Sequence, residues 1–275
     1  MNPSSGRNRI YERSDPTMQR TRRNLSEANF TNAIHMFFLL DNSGSMAGKN
    51  LQALNEAMEN LIRSLAAESR KQGVLILMHI LSFSGAVRWL CGTTCDRGVS
   101  VHDIRWTDLT DEYNTDTAAA IEAIRPGLSR DKLGYRTYKP IVVLISDGHS
   151  DDRTKTRKAI EELVDTQLMF RIAIGVDGYN AEELQDFVST GIVKTVDSWQ
   201  NEISRSEQGL IFPVQNATQL VPVITSVSIC TLISSIHAGM HTHHSDGDDH
   251  IEIELPAANA HSIPPLDLDS SGWLK

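Results

Sequence analysis

The sequence predicts an α/β fold, a doubly wound and mostly parallel sheet with helices on both faces. Three observations predict it. Long apolar runs at Met36–Leu40, Val74–Phe83, Pro140–Ile145 and Leu168–Val176 largely lack polar alternation, as strands buried on both faces of a parallel sheet do. Between them lie stretches with apolar residues at helical spacing, so strand and helix alternate over residues 33–236 with no sequence repeat. Two of the runs also end in a carboxylate, Asp41 and Asp147, with Gly44 and Gly148 close behind to allow a sharp exit.

The first strand runs from about residue 33 to Asp41 and leaves through Asp41-Asn-Ser43-Gly-Ser45. Leu51, Leu54, Met58, Leu61, Ile62 and Leu65 then recur at helical spacing, which places a helix from Lys49 to Lys71-Gln72, with Gly73 as its stop. Val74–Phe83 is the next strand. Ser84-Gly85 turns it, and Val87–Cys91 returns antiparallel; Val99–Ile104 is expected as an edge strand. Ala118–Ile124 is a short, good helix former, and Pro126–Tyr138 reads as a polar connection to the strand Pro140–Asp147. Asp151 and Asp152 open a helix whose buried face holds Ile160, Leu163 and Val164, acids being favoured at its positive end. A strand over Leu168–Val176, a helix over Glu182–Val188, strands at Gly191–Val196 and Leu210–Val214, and a closing helix over Thr218–Ile236 complete the domain. Right-handed crossovers would carry Asp41 and Asp147 to the same sheet edge, where open α/β sheets bind ligands if the two strands flank the switch point.

Outside this core, residues 1–32 read as a flexible basic arm, with six Arg against Glu12 and Asp15 over residues 1–23. Residues 237–275 read as a flexible tail, rich first in His and then in acids. The net charge of −9 argues against a nucleic-acid partner, which needs a basic face. No apolar segment follows the N-terminal arginines, so no secretory signal is expected. Val221–Ile236, broken by Pro222 and many Ser and Thr, is read as short of a membrane span. Three cysteines in a chain of this size suit a reduced, cytoplasmic setting. Cys91 and Cys95 near His102 form a weak zinc pattern, since no second such pair occurs; a hairpin with idle thiols is the alternative.

The chemistry concentrates in three loops. Asp41, Ser43 and Ser45 alternate, so a tight loop can converge one carboxylate and two hydroxyls; Thr115 lies in a second loop rich in hydroxyls and acids; Asp147 ends a strand. Oxygen donors of this kind suit a hard divalent cation. The alternative is that Ser43 and Ser45 cap the following helix while Asp41 satisfies loop amides.

Asp41-x-Ser43-x-Ser45, Thr115 and Asp147, in that order, resemble the metal-ion-dependent adhesion site of von Willebrand factor A domains. The resemblance covers about residues 33–236. It implies that Ser43, Ser45 and Thr115 supply hydroxyls, that Asp41 and Asp147 supply direct or water-mediated carboxylates to Mg²⁺ or Mn²⁺, and that the sixth position is open to an acidic side chain of a partner protein. Tyr113-Asn114 replaces the glycines that often precede the family threonine, which makes Thr117 the alternative hydroxyl. Within the family the sequence looks most like the bacterial TerY-like group associated with tellurium resistance, through Asp41–Gly48, the Leu54-Asn-Glu-Ala-Met58 helix, Lys139-Pro140, Ser146–Asp152 and Ala173–Gly175. That implies a cytoplasmic interaction module in a stress-signalling system, beside a phosphatase and a kinase, and does not imply catalysis; the charge and the broken apolar stretch above set the expectation of no nucleic-acid and no membrane partner.

Two other functions compete. One is a Mg²⁺-dependent, phosphatase-like hydrolase attacking through Asp41, which wants a second acid two residues on, where this chain has Ser43. The other is a structural α/β domain with a vacant metal site, in which two facing carboxylates would raise one pKa. His149 is the nearest base, and a lone His on such a loop is otherwise surface dressing. His237, His241, His243, His244 and His250 could capture a transition metal, although ordering such a tail costs entropy. The tail acids Asp246, Asp248, Asp249, Glu252 and Glu254 could compete for a cation from high effective concentration.

Overall fold

Strand β1 (Asn32–Asp41) is buried from Ile34 onward and lies at the centre of the sheet. The computed structural model describes residue 30 and residues 32–92, 98–134, 136–164, 169–241 and 251–257. β1 pairs in parallel with β2 (Val74–Phe83) on one side, from Asn32 opposite Val74 to Asp41 opposite Phe83. On its other side it pairs in parallel with β5 (Ile141–Ser146), Leu40 opposite Ile145. β6 (Phe170–Val176) and β9 (Ile211–Val214) extend the parallel sheet. β3 (Val87–Cys91) and β4 (Val99–Ser100) both run antiparallel to β2 at the far edge. The order is β3-β2-β1-β5-β6-β9, so the chain reverses its direction of winding between β1 and β5. The C-terminal ends of those two strands are the switch point.

Helix α1 (Lys49–Gln72) buries the predicted stripe Leu51, Leu54, Met58, Leu61, Ile62 and Leu65. Gly73 closes it in the left-handed region at φ 63°, its N–H donating to Ser69 O, and Arg70 and Lys71 sit where the helix dipole favours cations. α1 packs against the closing helix α6 (Ala217–His241) on one face of the sheet. α2 (Thr117–Ile124) packs against α4 (Arg153–Val164) on the other, with α5 (Ala181–Phe187) beside α4.

Several details depart from the sequence reading. Residues Arg125–Leu128 and α3 (Arg130–Leu133) are short helical turns within the expected polar connection, where Leu128 and Leu133 are buried. The expected edge strand over Val99–Ile104 is only two residues long, because the chain turns at Val101, whose N–H reaches back to Ile76 O. Val164, expected on the buried face of its helix, is exposed at the helix end. α6 runs past Ile236 to His241 in spite of Pro222, and its Ala217–Gly239 segment is long and apolar enough to cross a membrane. Half of that segment is buried against the protein, as in a core helix.

The largest correction concerns the tail. β10 (Ile251–Pro256) is a strand, not flexible chain: Ile251, Ile253 and Leu255 are buried, and the strand packs on α6. It pairs in parallel with β7 (Thr190–Val196), which pairs antiparallel with β8 (Glu202–Gly209), so β7 belongs to a separate three-stranded sheet. Glu252 joins Lys194 and Arg205 in ion pairs across this sheet. Gly191 permits the approach, since a Cβ there would meet Ile251 O at 2.8 Å. The remaining tail histidines and acids at residues 242–250, the tail from residue 258 and the basic arm through residue 29 lie outside the described residues, as does Cys95.

Candidate metal centre

Leu40 and Ile145 are register partners, so the residues that follow them, Asp41 and Ser146, stand side by side as β1 and β5 end. Ser146 Oγ donates to Asp41 Oδ2 at 2.6 Å, and the Ser43 N–H donates to Oδ1 at 2.9 Å. That second bond folds the loop into an Asx turn, which brings Ser43 Oγ within 3.0 Å of Ser45 Oγ. Asp41 and Ser43 are buried and Ser45 is exposed, so the donor row runs from the interior to the surface.

Asp147 opens the neighbouring loop. Its Oδ1 accepts from the His149 N–H at 3.1 Å, and its carbonyl accepts from the Asn180 N–H at 2.7 Å. Gly148 takes φ 71°, and a Cβ there would stand 2.9 Å from Asn180 O, so this exit requires glycine. Thr115 is fixed to the same loop through its backbone: its N–H donates to Asp151 Oδ2 and its carbonyl accepts from the Asp151 N–H, both at 2.9 Å. Asn114, just before it, adopts φ 66°, a left-handed conformation that Asn tolerates. The position that lacks the family glycine therefore still makes the turn. Thr117 is the first residue of α2 and lines a small cavity behind the sheet with Ser146 and Thr156.

Burial, with the Asp147 charge adding to it, pushes the Asp41 carboxyl above its ordinary range, against the opposing pull of its bonds from Ser146 and Ser43. A buried carboxylate beside a second one fits a cation, and the hydroxyls of Ser43, Ser45 and Thr115 fit the oxygen preference of Mg²⁺ or Mn²⁺. Among the described residues no group of three or more His, Cys, Asp or Glu side chains stands together as a metal site. This donor set has two carboxylates, and its other members are hydroxyls.

Several supporting residues escaped the sequence reading of the site. Asn42 donates from its backbone to Phe83 O and from Nδ2 to Thr110 O, and its carbonyl accepts from the Glu112 N–H, tying three loops together. Ser84 and Gly85 in the β2–β3 turn bind the loop on both sides of Thr115, through Asp116 N–H to Ser84 O and Gly85 N–H to Tyr113 O. Glu183, buried on α5, accepts from Ser150 and so holds the loop after Asp147. A serine ending an apolar strand was the available signal for Ser146; for the others no local pattern points to the role.

A profile of the von Willebrand factor type A domain matches residues 35–207. The chain belongs to the von Willebrand factor A family. The VWA architecture recurs in a solved von Willebrand factor type A structure from Catenulispora acidiphila, at 12% identity and a TM-score of 0.50, over 72% of this chain and 42% of that one. Proximal thread matrix protein 1 from the mussel byssus aligns over 72% of this chain and 47% of its own, at 15% identity and a TM-score of 0.47. This VWA chain thus spans less than half the length of either protein. A comparison with curated proteins gives no match.

Proposed function

We propose that this VWA protein is a metal-dependent protein interaction module. Asp41, Ser43, Ser45, Thr115 and Asp147 would hold Mg²⁺ or Mn²⁺, and an Asp or Glu of a partner protein would complete the shell. The observation that carries the reading is the buried Asp41 carboxylate, raised in pKa beside Asp147, at the switch point of a VWA sheet. A bound cation would supply positive charge that offsets both carboxylates and accepts a third from outside. The chain's own groups prepare for this: Ser146 and the Ser43 amide orient Asp41, and Asp151 fixes the Thr115 loop.

The resemblance to TerY-like proteins supports the finer reading, a bacterial cytoplasmic partner of a phosphatase or kinase in tellurium resistance or stress signalling. We read the site as binding rather than catalytic, because Ser43 stands where a phosphatase-like site needs its second acid. The test is thermal unfolding with Mg²⁺ or Mn²⁺ against EDTA. A cation bound only by the folded state raises Tm by mass action, and Asp41→Ala is expected to abolish the rise. An equal rise in that variant would place the cation elsewhere.

A further inference from the structure

Strand β8 forms the open edge of the three-stranded sheet, and residues 202–207 are all exposed, so neither face of the strand is covered over that length. Among the described residues its backbone has one partner strand, β7. Natural sheets blunt such edges with Lys, Pro, bulges or short strands, and β8 contains neither Lys nor Pro. Its register irregularity lies opposite Thr195 and Val196, at the turn end, which leaves residues 204–209 regular. Exposed Trp199 in the turn and Ile203 on the strand add apolar surface to the same hairpin. The Leu210 N–H donates to Ser189 O, one position beyond the Thr190–Gly209 pair. Hydrogen-bonded pairs alternate along an antiparallel ladder, so Ser204, Ser206 and Gln208 direct their backbone groups to β7, whereas Arg205, Glu207 and Gly209 turn theirs to the open edge.

We propose that this edge pairs with the same edge of a second copy of the chain, antiparallel about a two-fold axis at Ser206. The sequence around that axis is self-complementary: Arg205 of each copy falls opposite Glu207 of the other, so opposite charges meet in both directions. Backbone parity agrees. Arg205 and Glu207 are residues with outward N–H and C=O groups, and each cross-copy pair exchanges both of its hydrogen bonds. An axis at Arg205 or at Glu207 instead sets like charges face to face, and one at Ser204 runs the ladder into the irregular end. Arg205 already bonds Glu252 in its own copy, but a guanidinium has donors enough to serve both acids. The interface shares no residue with the three loops around Asp41.

The test uses the full chain. Sedimentation equilibrium should show a concentration-dependent monomer–dimer mixture at concentrations up to about 1 mM. Glu207→Pro removes one outward N–H and no bond to β7, and should weaken self-association at least about tenfold, or about 1.4 kcal/mol, with the circular dichroism unchanged. Where the proline variant does not fold, Glu207→Lys, at the same exposed position, sets like charges opposite and should weaken association likewise. In mild oxidant Ser206→Cys should form an intermolecular disulfide, located by peptide mass mapping, because a non-hydrogen-bonded pair brings its Cα atoms to about 4.5 Å. Ser204→Cys falls opposite Gln208 and keeps the same native cysteines, so it should cross-link at least about tenfold more slowly. A parent that stays monomeric leaves the edge to a strand of another protein and overturns the proposal. Dimerisation indifferent to the Glu207 variants, or equal cross-linking at positions 204 and 206, overturns it too.

Discussion

Asp41 sits in a surrounding that opposes its charge. An acid whose folded pKa exceeds its unfolded one holds its proton more tightly when folded. Stability therefore falls as pH rises from the unfolded value, near 3.8, through the raised folded value, and the loss is complete above it. Metal-free protein above that raised value bears the loss in full. Asp41→Asn keeps an acceptor for the Ser43 amide, and the Ser146 hydroxyl can turn to accept from the new amide. In EDTA at pH 7 the variant is expected to melt above the parent, with a flatter pH profile, while gaining nothing from Mg²⁺. Melting below the parent would mean that the carboxylate's hydrogen bonds outweigh its desolvation. The thiols offer a second check at this scale. Burial pushes Cys91 up to about 12 and Cys230 up to about 11. Both should alkylate slowly with iodoacetamide at pH 8 in native protein and readily in urea, as peptide mass mapping would show; fast native labelling would contradict their burial.

At the scale of elements, β10 is the least expected and the most testable. Burying three aliphatic side chains contributes about 1.5–3 kcal/mol each before the entropy of ordering the strand, and such area-based values are upper bounds. Ile253→Asp, or truncation after His241, is therefore expected to lower the urea midpoint by an amount worth several kcal/mol of stability, on the order of the value for two buried aliphatic residues. A midpoint equal to the parent's would mean that the strand contributes little. The β5–α4 loop offers a sharper case. Gly148→Ala must accommodate both a positive φ and a Cβ 2.9 Å from Asn180 O, so Tm should drop and the Mg²⁺ response should weaken with it. Calorimetry of the variant with and without Mg²⁺ reads both effects.

For the whole molecule, three loops from distant parts of the chain meet at one end of the sheet and are bound to one another through backbone groups as much as side chains. If the proposed cation joins them to a partner's carboxylate, association should need the metal. EDTA, or Ser43→Ala with Ser45→Ala, is expected to weaken capture of the partner at least about tenfold, or about 1.4 kcal/mol. Calorimetry on the protein recovered in a metal-dependent pull-down measures this directly; binding indifferent to both treatments would move the interface off this face. The tail is a poorer competitor for the cation than its acidity suggests, because Glu252 already pairs with Lys194 and Arg205.

The sequence by itself determined what short-range pattern can encode. The α1 stripe, the doubly buried strands and the carboxylates at the ends of β1 and β5 follow from residue spacing, and with them the doubly wound order and the position of Asp41 and Asp147 at one edge. The serine row also follows, since Asp41, Ser43 and Ser45 are close along the chain. Only the tertiary structure decided which distant groups complete the site. Ser146 reaches Asp41 across 105 positions of sequence, and Asp151 holds Thr115 across 36. It also decided that Ile251–Pro256, alternating and flanked by polar chain, becomes a strand by pairing with β7 and burying one face on α6, and that polar β8 becomes its neighbour's other partner. Their physical cause is a partner far away in sequence, and no local periodicity specifies where that partner lies.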